Sequence, residues 1–203
     1  MNKRKIGVLV SGRGSNLQAV MDKISQENLP LSVAVVISDK ADAYALERAA
    51  KAGIDQVAIV RKSCASKAEF EAKIDQVLRE HGVELIVLAG FMRILSGSFV
   101  GKWKHRIINI HPALLPAFTG IDAQGQALAY GVKVAGCTVH FVDEGMDTGP
   151  IILQKVVPVL DEDTHDTLAA RILVQEHLAL PEAVKLWSED RLEVKGRKVY
   201  IRK

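Results

Sequence analysis

The strongest constraint on the fold is the alternation of apolar runs and helical periodicity over the first ninety residues. Lys5-Ile-Gly-Val-Leu-Val10 runs into Ser11-Gly-Arg-Gly-Ser-Asn16, after which Leu17, Val20, Met21 and Ile24 recur at helical spacing. Leu31–Ile37 is a second apolar run, followed by a helix over roughly Ala43–Ala52 that stops at Gly53, and Gln56–Val60 reads as a third strand. Ser66–His81 is an amphipathic helix carrying Phe70, Ile74, Val77 and Leu78. Glu84–Ala89 is apolar almost throughout, the pattern of a strand covered on both faces. Strands and helices in alternation specify an α/β fold with a mostly parallel central sheet and crossover helices.

The rhythm changes after Ala89. A short helical piece is expected after Ser96, and Arg106–Ile110 reads as a strand that delivers Asn109 and His111 to one face before Pro112 closes it. Ala113–Gln126 contains or adjoins two prolines and two glycines and reads as an ordered loop. Ala135–Val142 and Pro150–Val157 flank a link short enough for an antiparallel pair. Asp163–Asp166 offers helix caps. The helix that follows should bury Leu168, Ile172, Leu178 and Val184 and be kinked or interrupted at Pro181. Val194–Ile201 reads as a closing hairpin. No repeat or linker interrupts the chain, so one domain over 1–203 is the economical expectation.

At 203 residues with 48% hydrophobic and 25% charged residues, the chain can bury a substantial core. A net charge of +3 gives no nucleic-acid face, and no run approaches the ~20 apolar residues of a membrane span. The basic start Met1–Lys5 precedes only five apolar residues, too few for a signal core. Cys64 and Cys137 are not a disulfide framework. The expectation is a cytoplasmic, reduced protein.

Three features carry chemistry. Asn109 and His111 at a strand end put an amide donor beside a proton carrier, a pairing suited to stabilising an oxyanion and moving a proton. Satisfied strand-end polarity is the plain alternative. Ser11–Asn16 between a strand and a helix can hold a phosphate on its amides, although Leu17 stands where a dinucleotide fingerprint needs glycine; a tight structural turn is the alternative. Asp143, Glu144 and Asp147 lie in one glycine-containing loop without metal-ligand spacing. A carboxylate from it that reached His111 would orient the ring and favour the imidazolium. Among the other histidines, His81 and His105 read as surface, His165 as a capping residue, His177 as core or site, and His140 as a buried, hydrogen-bonded group.

Taken together, Val10–Leu17, Leu88–Leu95, Ile108–Pro116, Val139–Pro150 and Gln175-Glu-His177 make the chain resemble the folate-dependent glycinamide ribonucleotide formyltransferases of purine biosynthesis. The five blocks stand in order across nearly the whole chain. The resemblance implies a Rossmann-like formyltransferase fold, with an antiparallel addition towards the C-terminus. It implies formyl transfer from 10-formyltetrahydrofolate to the amine of phosphoribosylglycinamide, without a metal. By matching position, His111 is implied as proton shuttle, Asn109 as oxyanion stabiliser and Asp147 as the carboxylate that raises the imidazole's pKa.

The same resemblance implies substrate binding by Gly14, Ser15, Asn16, Leu173 and Glu176. For the folate it implies Lys67, Met92, Arg93, Ile94, Leu95 and Asn109, with Asp143, Glu144, Gly145, Met146 and Asp147. Small molecules are the implied partners, with neither nucleic acid nor membrane, in a monomer or homodimer. Thr119, Ala113, Leu173, Asp122 and Gln124 depart from the common pattern, and Leu173 shifts phosphate binding onto the glycine loop. Methionyl-tRNA formyltransferases and formyl-folate hydrolases share the Asn/His/Asp set but carry an extra domain for which this chain is expected to have no room. The hydrolase is the stronger enzymatic rival. A non-catalytic nucleotide or folate sensor would not need a base and an oxyanion donor together.

Overall fold

The computed structural model describes residues 3–203, in two compact units, one ending at Ile108 and one running from Asn109 to Lys203. In the first unit the strands are β1 (Arg4–Val10), β2 (Leu31–Ser38), β3 (Asp55–Ala58) and β4 (Leu85–Leu88). They are ordered β3-β2-β1-β4 and pair in parallel throughout. The connecting helices are α1 (Ser15–Gln26), α2 (Tyr44–Lys51) and α3 (Lys67–Glu80), with the short α4 (Gly97–Lys102) after β4. The expected strand–helix alternation is therefore present. β1 and β4 bury almost every residue because both faces of a parallel sheet are covered. Gly7 lets a helix approach, since a Cβ there would lie 2.5 Å from Leu78 Cδ2 on α3. Ser66 and Ser96 cap α3 and α4 with their side chains, which places both helix starts where the sequence puts them.

β5 (Ile107–His111) carries the chain from one unit into the next. The second unit holds α5 (Ala123–Tyr130), β6 (Val134–Phe141), β7 (Ile151–Pro158), α6 (His165–Ser188) and the hairpin β8 (Leu192–Lys195) and β9 (Lys198–Ile201). Here β6 and β7 are antiparallel, as are β8 and β9, so the expected antiparallel addition is found. α6 packs on β6 and β7, and its Leu168, Ile172, Leu180 and Val184 are each buried to within 1%.

Three expectations are corrected. The segment Ala113–Gln126 is not loop throughout: α5 begins at Ala123, capped by the Asp122 side chain, which accepts from Gly125 N at 3.2 Å. A cap in the left-handed region and two glycines hid this helix from periodicity. Pro181 does not interrupt α6, which is continuous over 24 residues. An internal proline costs about 3 kcal/mol, but each buried aliphatic side chain of this helix returns roughly 1.5–3 kcal/mol, and several of them act together. Leu178 is not core; it is 57% exposed on the outer face of α6.

Candidate active site

The polar cluster is assembled within the second unit. His111, the last residue of β5, is 4% exposed. Its Nε2 lies 2.8 Å from the carbonyl oxygen of Phe118, and its Nδ1 lies 3.4 Å from Asp147 Oδ2. Asp147 sits in the link between β6 and β7 with φ +54°, in the left-handed region that aspartate tolerates better than most residues. The Gly120 amide donates to Asp147 Oδ2 at 2.8 Å, so the carboxylate ties the 112–122 loop to the 142–150 link. The carboxylate and imidazole expected to meet do so.

His140 completes the arrangement. Its Nδ1 is 2.9 Å from Phe141 O and its Nε2 is 3.2 Å from Asn109 Nδ2. Burial, the dominant cause, pushes the His140 pKa below the ordinary histidine value, so the ring is neutral near pH 7. A neutral ring donating from Nδ1 to Phe141 O leaves the Nε2 lone pair to accept one N–H of Asn109. The amide is thereby oriented with its second N–H spare. The 3.8 Å separation of His140 Nε2 from Asp147 Oδ1 is proximity rather than an ion pair. Sequence reasoning took His140 as a buried, hydrogen-bonded group; its part in aiming Asn109 needed three-dimensional contacts to find. The Phe118 carbonyl and Gly120 amide were missed because backbone groups leave no mark in residue identity.

Asp143 braces the 143–147 link from within. Asp143 Oδ1 accepts from Gly145 N at 3.1 Å and from the Thr148 hydroxyl at 2.6 Å, while Glu144, Gly145 and Met146 are exposed. Glu176 is 8% exposed on α6, and Leu173 is half-buried one turn earlier. Cys137 is no nucleophile: burial foremost, then the Glu176 carboxylate, pushes its thiol up to about 12.

In the first unit the glycine loop ends at Gly14, the cap residue of α1 at φ +71°. A Cβ there would lie 2.6 Å from Ala45 Cβ, so both the backbone angle and the neighbour require glycine. No side chain caps α1, and a helix N-terminus of this kind is suited to an anion. Arg48 Nε donates to Arg13 O at 2.8 Å and steadies the loop.

The Met92–Leu95 segment is anchored differently. Ser11 Oγ accepts from Met92 N at 2.8 Å, and Arg93 Nε pairs with the buried Asp39 carboxylate at 2.6 Å. Leu95 is buried, whereas Met92 and Ile94 are 70% and 65% exposed. Lys67, expected at the ligand, lies 3.8 Å from Glu71, which in turn accepts from Ser96 N at 2.7 Å. It therefore stands one contact away from the end of that segment.

The comparisons supply the family. The formyl transferase family model matches residues 4–184, and the chain belongs to that family. Phosphoribosylglycinamide formyltransferase of Bacillus subtilis is 48% identical over 90% of this chain and 93% of its own length. The trifunctional purine biosynthetic protein adenosine-3 of Chironomus tentans is 49% identical over 91% of this chain, but the chain spans only 14% of that longer protein. The crystal structure of glycinamide ribonucleotide transformylase 1 from Symbiobacterium toebii superposes with a TM-score of 0.97 at 51% identity, covering 100% of this chain and 95% of that one. A formyltetrahydrofolate deformylase from Pseudomonas syringae pv. tomato gives 0.91 at 26% identity, over 99% and 66%. No helix among the described residues is long and apolar enough to cross a membrane.

Proposed function

We infer that this protein transfers the formyl group of 10-formyltetrahydrofolate to the amine of 5'-phosphoribosylglycinamide, giving formylglycinamide ribonucleotide and tetrahydrofolate, as a cytoplasmic step of de novo purine (IMP) synthesis. The observation that carries the reading is the Asn109–His140 and His111–Asp147 arrangement. It holds a half-buried amide N–H and a buried proton carrier in one cluster. Binding alone would not require that pair.

Each residue has a task. Asn109, aimed by His140, offers its second N–H to the carbonyl oxygen as charge grows on it; one such donor is worth about 3–4 kcal/mol in comparable oxyanion holes. His111 takes the proton released when the amine nitrogen bonds to the formyl carbon, and returns it to the folate nitrogen as that bond breaks. Asp147 fixes the ring and faces the positive charge that the ring then carries. Exposed apolar Met92 and Ile94 suit a flat heteroaromatic ring, so these residues, with Arg93, Leu95 and Lys67, are assigned to the folate. Asp143, Glu144, Gly145, Met146, Asp147 and Asn109 are assigned to the same ligand. Gly14, Ser15 and Asn16 are assigned to the substrate phosphate, and Leu173 and Glu176 to the remainder of the phosphoribosyl group.

One assay decides between transfer and hydrolysis. Loss of the formyl group from 10-formyltetrahydrofolate is followed with and without phosphoribosylglycinamide. Transfer requires the amine; equal loss without it would make the protein a hydrolase.

A further inference from the structure

The two ring nitrogens of His111 are held unequally. Nε2 faces a main-chain carbonyl at 2.8 Å, and a carbonyl only accepts, so Nε2 carries a hydrogen while that contact lasts. Nδ1 faces Asp147 Oδ2 at 3.4 Å, well beyond the ~2.7–2.9 Å of a tight charge-assisted bond. That same oxygen already accepts from Gly120 N. Nδ1 can gain or lose a proton without breaking a short bond, whereas Nε2 cannot.

The residue that supplies the carbonyl has an uncommon backbone angle. Phe118 has φ +54°, uncommon for an aromatic residue. Its ring borders an apolar cavity of about 480 Å³, walled also by Pro112, Leu114, Ala127 and Val134. Its aromatic partner is Tyr130, at the end of α5, edge-to-face at 5.9 Å between centroids and 64° between planes. Tyr130 is itself 79% exposed, so it contributes little to the core, and its contact with Phe118 is its visible structural task.

We propose that the Phe118 carbonyl locks His111 as the Nε2–H form, that Nδ1 is the atom which carries the shuttled proton, and that Tyr130 is a positioning residue which holds the lock through the Phe118 ring. The proposal rests on the reading of His111 as proton shuttle. In the balanced cycle a neutral ring accepts the amine proton at Nδ1, becomes the imidazolium with Nε2–H still on the carbonyl, and releases the same proton from Nδ1 to the departing folate nitrogen. The groups facing the ring are Asp147 on the 142–150 link and His140 on β6, the latter neutral through burial.

The tautomer is read directly. The whole protein is labelled with 15N-histidine, His111 is assigned by comparison with His111→Gln, and long-range proton–nitrogen spectra are recorded from pH 5 to 9. Nε2 is expected to show the shift of a protonated nitrogen in every spectrum; an unprotonated Nε2 overturns the lock. Tyr130→Ala is expected to lower kcat roughly 3- to 10-fold, the size of one aromatic edge contact, with KM for both substrates within twofold. Tyr130→Phe keeps the ring and should restore kcat. Wild-type turnover in Tyr130→Ala, or equal loss in Tyr130→Phe, overturns the positioning role. The spectra need no turnover, so they stand apart from the proton-shuttle reading, which full activity of His111→Ala would overturn.

Discussion

The cluster around His111 and the loops of the first unit are built in opposite ways. Around His111, side chains do the work: each is buried or half-buried, and each is aimed by a second group, His140 for Asn109 and Gly120 for Asp147. Around Gly14 and Met92 the structure presents backbone and exposed apolar surface, and side chains such as Arg48 and Asp39 serve as anchors. A reacting centre needs charge placed to within a fraction of an ångström. A binding surface needs shape and dipole direction. Substitutions should therefore separate cleanly, with kcat falling in the cluster and KM rising in the loops.

The largest effect is expected at the cluster. His111→Ala should reduce kcat by roughly 10²–10⁴, and Asn109→Ala by roughly 10²–10³, while KM for the folate changes less than tenfold. Steady-state formyl transfer with both substrates varied measures this. A parallel loss in KM would erase the contrast and assign both residues to binding or folding. Asp147→Asn is the sharper probe, because asparagine also accepts positive φ and can still accept from Gly120 N. Only the charge facing His111 is lost, so kcat should drop by about ten- to a hundredfold with unfolding midpoints little changed.

Gly14→Ala should do the reverse. The new Cβ meets Ala45 and the φ of +71° becomes strained, a cost of about 1–3 kcal/mol that moves the loop or lowers stability. KM for the phosphoribosyl substrate should rise tenfold or more while kcat at saturation stays within about threefold. An unchanged KM would remove the loop from the phosphate.

The same contrast explains what could be read from the sequence. Periodicity marked β1, β4 and α3 because a covered parallel sheet and its helices follow apolar spacing alone. Asn109 and His111 stood out because two polar residues at an apolar strand end are conspicuous. Their partners were not legible from spacing: Asp147 lies 36 positions beyond His111 in the chain, and nothing local joins them. His140 was legible as a buried, hydrogen-bonded group, but its contact with Asn109, 31 positions away, was not. α5 and the unbroken α6 were misjudged because local propensity was weighed without the tertiary contacts that override it.

The smallest expected effect concerns pH and stability, and it sharpens the cluster's side of the comparison. Burial lowers the pKa of His140 and of His177 in the folded chain. In the unfolded chain both return to about 6.5. Below that pH the unfolded state binds protons that the folded state refuses, so acidification favours unfolding; above it neither ring is charged in either state and the effect vanishes. Stability should therefore decline as pH falls from about 6.5 towards the lowered folded values. His140→Gln should flatten the decline by removing one proton-binding group, at the expense of some stability at neutral pH. His177→Gln should flatten it independently, because His177 lies on α6 and His140 on β6. Urea midpoints at pH 7.5 and 5.5 for the protein and both variants measure the difference. An unaltered slope in His140→Gln would mean that the ring is already charged in the folded state. It could not then accept from Asn109, and the aim of the oxyanion donor would have to come from elsewhere.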